Sequence, residues 1–165
     1  MHELKVAIEL CRPTAIKPRY MHIGDAGMDL YAADDVILKP GESKVVPLGF
    51  KMALPIGYEM QIRARSGLSL KTRLRLPNGL GTIDAGYRGE VGVIMYNASP
   101  DNSAGESEIL TLTEQNNRAG TYLIHRGERI AQAVIAPIIH VEWEDAESVC
   151  NIGEDRGGGL GHSGV

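Results

Sequence analysis

Aromatic residues are scarce in this chain. One Trp and one Phe stand among 165 residues, so whatever core forms must be mainly aliphatic. Cysteine is scarcer still as a framework: Cys11 and Cys150 are too few for a disulfide scaffold and lack the spacing of a metal site. They read as two reduced thiols. No apolar run approaches the roughly 20 residues of a spanning helix, and the start "MHELKVAIEL" is too charged for a signal peptide. The expected setting is the cytoplasm. Basic charge is not in excess either, since the net charge is −4, which argues against a general nucleic-acid binder. A phosphate site would need positive charge gathered locally. Finally, no stretch keeps a helical period beyond about two turns.

What is present is a series of short apolar or alternating runs punctuated by Gly and Pro. The clearest are "KVAIEL", "KVVPLGF", "EMQIRAR", "EVGVIMYN", "TYLIHRG" and "RIAQAVIAPIIHVEW". In "EMQIRAR" a period of two puts Met60, Ile62 and Ala64 on one face, with Glu59, Gln61, Arg63 and Arg65 on the other. Turn chemistry in "KPGESK" and "LPNGLG" separates such runs. This pattern predicts an all-β fold in one domain, a barrel or a jelly roll. One short helix is expected after Ser66, which can cap it. The polar stretch at residues 98–120 reads as an inserted loop or extended hairpin. Apolar content ends near residue 152, so 1–152 is expected to be the β domain and 153–165 a flexible glycine-rich arm.

Several segments carry candidate chemistry. "RARSGLSLKTRLR" holds Arg63, Arg65, Lys71, Arg73 and Arg75 with no acid between Glu59 and Asp84. An Arg beside a Ser at a helix start suits a phosphate; a solvated basic face would look the same. In "GTIDAGYRGEV" Asp84 sits at a glycine-punctuated turn ahead of Tyr87. A carboxylate beside a rigid ring in a tight hairpin fits a general base, and equally an ordinary Asx turn. Asp29 in "AGMDLYAA" lies among small residues and, if buried, needs an Arg, backbone donors or a metal-bound water. Gln132 is the only neutral polar side chain in "GERIAQAVIAP", and "RGGGLGHSG" offers Arg156, His162, Ser163 and unhindered N–H groups to phosphate oxygens.

Taken in order, "AGMDLYAA", "RSGLSLK", "GTIDAGYRGEV", "GERIAQ" and "RGGGLGHSG" closely resemble the five motifs of the homotrimeric deoxyuridine triphosphate nucleotidohydrolases, the dUTPases. The resemblance spans residues 13–164. It implies hydrolysis of dUTP to dUMP and pyrophosphate with Mg²⁺, in active sites shared among three subunits. It further implies that Asp84 holds the attacking water in line with the α-phosphorus. Tyr87 would lie under the deoxyribose and exclude a 2′-hydroxyl. Asn78, Thr82, Ile83 and Gly92 would line the uracil pocket. The α- and β-phosphates would fall to Arg65, Ser66 and Gly67, with Gln132 meeting the chain and Arg156 the γ-phosphate. Gly161, His162 and Ser163 would complete the lid, and Asp29 would touch Mg²⁺ through a water.

Three residues depart from the family pattern, of which Gly86, at a position often held by Asp, reads as tolerated variation. Leu160 stands where an aromatic is usual, so base stacking worth roughly 1–3 kcal/mol is lost; Leu160→Phe is expected to tighten dUTP binding. His162 replaces a usual Ser or Thr. The resemblance also leaves a dCTP deaminase-like relative and a non-catalytic interaction module to be weighed. Tyr87 and the full fifth motif speak against the first, and retention of Asp29, Arg65, Asp84, Tyr87 and Arg156 against the second. No membrane partner and no stable nucleic-acid binding are expected.

Overall fold

Alternation decides which side of each strand is buried, and the computed structural model follows it. Residues 3–100, 108–113, 116–155 and 157–158 are described. In β6 (Tyr58–Arg63) Met60 and Ile62 are buried, as the period of two predicts. Ala64 lies past the end of the strand and is exposed, so it does not join their face.

The chain runs β1 (Ala7–Leu10), β2 (Met28–Tyr31), β3 (Val36–Leu38), β4 (Ser43–Pro47), β5 (Phe50–Ala53), β6, α1 (Ser66–Lys71), β7 (Leu74–Arg75), β8 (Gly81–Ile83), β9 (Gly92–Asn97), β10 (Ile109–Thr111), β11 (Thr121–Ile124) and β12 (Arg129–Pro137). The strands form four small sheets ordered β1-β5, β10-β11-β3, β2-β12-β6-β8 and β4-β9-β7. This is a β architecture with a single short helix among the described residues, as expected. The run "KVVPLGF" is split at Gly49, whose positive φ of 74° turns the chain between β4 and β5. A side chain there would also collide with Ala15.

The sheet that organises the site is β2-β12-β6-β8. Its ladder sets Asp29 opposite Gln132 and Gln132 opposite Arg63, while the next row aligns Met28, Ala133, Ile62 and Gly81. Neighbouring rows point to opposite faces, so the polar row and the apolar row separate cleanly. Ala133 and Ile62 join the core with Leu30, Phe50, Met95 and Tyr122.

Residues 98–120 are more than a polar loop. β10 lies within them and pairs parallel with β11, not as an antiparallel hairpin, and Leu110 is fully buried. Truncating so enclosed a leucine typically costs about 2–5 kcal/mol, so this part of the stretch belongs to the core. Asn97 stitches it down, donating from Nδ2 to the carbonyls of Leu38 and Gly120 at 3.0 and 2.8 Å.

At the other end β12 stops at Pro137, earlier than the run "RIAQAVIAPIIHVEW" suggested. The described residues beyond it are exposed, with Ile139 at 91% and Trp143 at 89%. Proline supplies no N–H to continue the ladder.

Candidate active site

Two groups of the expected residues come together, in two different places. The first surrounds a cavity of about 250 Å³ lined by Ile62, Asn78, Gly81, Thr82, Ile83, Asp84, Tyr87, Gly92 and Ile94. All six residues assigned to base, sugar and water by resemblance are among them. The cavity exists because β8 and β9 do not pair with each other: β8 adds to β6, whereas β9 sits between β4 and β7. The segment from Asp84 to Val91 therefore crosses between two sheets and is not the tight hairpin expected. Within it the Tyr87 N–H donates to the Asp84 carbonyl at 3.1 Å, closing a turn that sets carboxylate and ring side by side. Asp84 is exposed and, among the described residues, is the only charged one in the lining.

Tyr87 is held at both ends. Its hydroxyl donates to the Glu90 carbonyl at 2.9 Å, and its ring passes over Gly89. A Cβ at residue 89 would fall 2.5 Å from the Tyr87 hydroxyl oxygen, so only glycine lets the ring lie there. The ring remains 43% exposed, available to a ligand.

The second group centres on Asp29, whose side chain is 11% exposed. Arg65 Nε stands 3.1 Å from one carboxylate oxygen and Arg129 stands 3.1 Å from the other. Of the three partners a buried Asp29 needed, arginine is the one found, twice over. Arg65 also donates to the Arg129 carbonyl at 3.0 Å. Gln132 donates to the Ala64 carbonyl at 2.9 Å, and its side chain occupies the space that a Cβ on Gly27 would need. Ser66 does not cap α1. Arg65 holds the N-cap position in extended conformation with no side-chain capping bond, since a guanidinium carries no acceptor, and its side chain is turned to Asp29. Ser66 is thus the first helical residue, exposed together with Gly67.

Arg129 was not singled out in the sequence. A register shift between Arg129 and Ala131 explains why, since residues three apart normally face opposite ways along a strand. The bulge brings Arg129 round to the face carrying Asp29 and Gln132. The rest of the basic cluster is largely engaged internally: Arg73 donates to the Asn117 carbonyl and Arg75 to those of Thr72 and Leu74. It is not a free basic face.

A metal finds no ready-made protein cage here. Among the described residues no three His, Cys, Asp or Glu side chains stand close enough to share an ion. Asp29 faces two guanidinium groups, yet each carboxylate oxygen keeps a lone pair, which fits contact with a hydrated cation through water and not direct ligation. Arg156, Leu160, Gly161, His162 and Ser163 lie outside the described residues.

With this geometry in hand, the dUTPase family pattern matches residues 14–103. The chain belongs to the dUTPase family. A deoxyuridine 5'-triphosphate nucleotidohydrolase from Solibacter usitatus is 40% identical over 164 residues, covering 98% of this chain and 97% of the relative. One from Gloeothece citriformis is 39% identical, with 98% of each chain covered. Among solved structures, the dUTPase of Staphylococcus bacteriophage 80alpha with dUpNHpp is similar at a TM-score of 0.85 and 33% identity, over 98% of this chain and 99% of that one. A mutant dUTPase from phage phi11 of S. aureus, described with a structural Mg(II) ion, matches at a TM-score of 0.80 and 31% identity, covering 88% and 98%. These likenesses span the dUTPase fold from end to end. None of the described helices is long and apolar enough to cross a membrane.

Proposed function

We propose that this protein hydrolyses dUTP to dUMP and pyrophosphate, by in-line attack on the α-phosphorus of a water held by Asp84. The observation that carries the reading is a cavity whose one charged lining residue, among those described, is Asp84, with the Tyr87 ring fixed beside it. Its size of about 250 Å³ falls below the roughly 300–1,000 Å³ of pockets that enclose a whole drug-sized ligand. It suits the nucleoside and leaves the triphosphate outside.

In this reading uracil meets Asn78, Thr82, Ile83 and Gly92, and Tyr87 lies against the deoxyribose where a 2′-hydroxyl would clash. Mispaired polar groups in such a pocket cost about 1–3 kcal/mol each, which discriminates against cytosine. Asp84 contributes by positioning the water and taking its proton as the new P–O bond forms and the bond to the leaving pyrophosphate breaks. Arg65, Ser66, Gly67 and Gln132 bind the phosphate chain. Arg156 meets the γ-phosphate, and Leu160, Gly161, His162 and Ser163 close over the ligand. Mg²⁺, contacted by Asp29 through water, would neutralise charge on the leaving pyrophosphate. A relative that carries Mg(II) supports the choice of metal.

Among the described residues no cationic side chain lines the cavity, and Arg65 and Gln132 stand outside its lining. A triphosphate bound at Asp84 therefore needs its positive partners from elsewhere. This supports a homotrimer in which one subunit supplies the nucleoside pocket and another the phosphate residues. The exposed apolar side chains of Ile139, Val141 and Trp143 offer the surface for such packing. On this account residues 1–152 are the β domain and 153–165 the arm. The free thiols of Cys11 and Cys150 support a cytoplasmic setting.

The test is pyrophosphate release from dUTP with Mg²⁺ in the wild type and Asp84→Asn. The expected loss is about 10²- to 10⁴-fold in kcat with dUTP binding retained. Equal turnover in the two proteins would remove Asp84 from its role. Release of dUTP or dUMP from dCTP would instead favour the deaminase branch.

A further inference from the structure

Outside the cavity, a second charged group of side chains is built on Arg12. Its Nε and one terminal nitrogen donate to the two oxygens of Glu90 at 2.5 and 2.9 Å, a bidentate fork. The other terminal nitrogen reaches Asp34 at 2.6 Å. Glu90 also accepts the Gly49 N–H at 3.1 Å. The next residue, Val91, is fully buried and bonded through its backbone to Leu48 and Phe50. Glu90 is thus fixed by its side chain on one side and by its neighbour on the other. Its carbonyl is the group that accepts the Tyr87 hydroxyl.

We propose that Arg12 is a positioning residue for sugar selection: through its fork on Glu90 it fixes the carbonyl that anchors Tyr87, and so the distance at which the ring meets the sugar. The inference rests on Tyr87 reading the sugar, as proposed above. Arg12 is not among the residues that line the cavity. Its two acids leave its charge more than matched, so it offers nothing to a phosphate. A planar fork fixes the direction of its partner, whereas a lysine fixes only charge. Loosening the anchor lets the ring move away and admits the 2′-hydroxyl of UTP. Selectivity is lost, and not simply speed.

The experiment compares kcat/KM for dUTP and UTP, with Mg²⁺, in the wild type, R12Q, R12K, D34N, E90Q and Y87A. R12Q is expected to raise the UTP:dUTP ratio roughly three- to tenfold, R12K to a lesser degree, and Y87A by more than either. E90Q keeps the shape of the glutamate and carries the test if R12Q does not fold; it should move the ratio in the same direction. D34N removes the other Arg12 contact and leaves the fork, so it should move the ratio less than R12Q. A ratio within about twofold of the wild type in R12Q and E90Q, with Y87A raised, overturns the proposal alone. Equal shifts in D34N and R12Q overturn it too, because Arg12 would then act through general folding of its segment. An unchanged ratio in Y87A overturns both the proposal and the sugar-reading role beneath it.

Discussion

Two ion-pair clusters in this molecule are charge opposites. On the β2-β12-β6 face one acid, Asp29, lies between two arginines, Arg65 and Arg129. Behind the Tyr87 loop one arginine, Arg12, lies between two acids, Glu90 and Asp34. The first leaves an excess positive charge and encloses its acid; the second leaves an excess negative charge and stays half open to solvent. Only the first has charge to spare for a polyphosphate, and the enclosed Asp29 keeps its two guanidinium groups aimed. The second can do nothing for an anion and is suited to holding backbone in place. In the proposed function similar geometry would serve ligand binding in one place and alignment in the other, with the sign of the surplus deciding which.

The comparison breaks most sharply at Asp29. Asp29→Asn leaves two neighbouring arginines without their shared counter-charge, and breaking a buried pair costs about 3–5 kcal/mol. Arg129 is 45% exposed, so screening should bring the loss nearer 2–3 kcal/mol. Urea unfolding should show that loss together with a fall in kcat/KM for dUTP. An unchanged denaturation midpoint would mean the arginines do not depend on Asp29.

A smaller effect is expected around Tyr87. Gly89→Ala pushes a methyl into the Tyr87 hydroxyl and should weaken discrimination between dUTP and UTP, while Gly86→Ala meets nothing within 4 Å and should leave it alone. Kinetics of the two variants with both nucleotides checks the contrast. Both altering selectivity equally would show that the loop as a whole, not the ring, is what matters.

The smallest effect is a pH dependence at Glu90. The hydrogen bonds from Arg12, then its charge and the Gly49 N–H, hold the Glu90 carboxyl below the usual carboxylate range despite its partial burial. A carboxyl lowered on folding stabilises the fold above its unfolded value and loses that contribution as pH falls through its folded value. Between about pH 5 and pH 3 the wild-type urea midpoint should therefore fall more than that of Glu90→Gln. Glu42, lowered by the Lys39 N–H and then by Lys44, contributes to both proteins and cancels. Parallel curves would show that Glu90 gains nothing from Arg12.

What could be read in advance was whatever neighbouring residues carry together. Met60 and Ile62 announce their face by alternation, and Asn78, Thr82, Asp84 and Tyr87 sit in one short span whose members meet at one cavity. Features built from distant segments were not legible. Arg12 and Glu90 are 78 positions apart, and nothing local in either marks the other. Arg129 was hidden by a bulge that reverses the side it faces. The crossing at residues 84–91 resembles a hairpin because turn chemistry does not reveal which sheet each flanking strand will join. Leu110 reaches the core from a polar stretch whose composition suggests solvent.

The central claim is that water held by Asp84 attacks the α-phosphorus of dUTP. Turnover of dUTP in ¹⁸O-water, followed by mass spectrometry of both products, tests it most directly. Label in dUMP and none in pyrophosphate is the predicted result; label in pyrophosphate would contradict it.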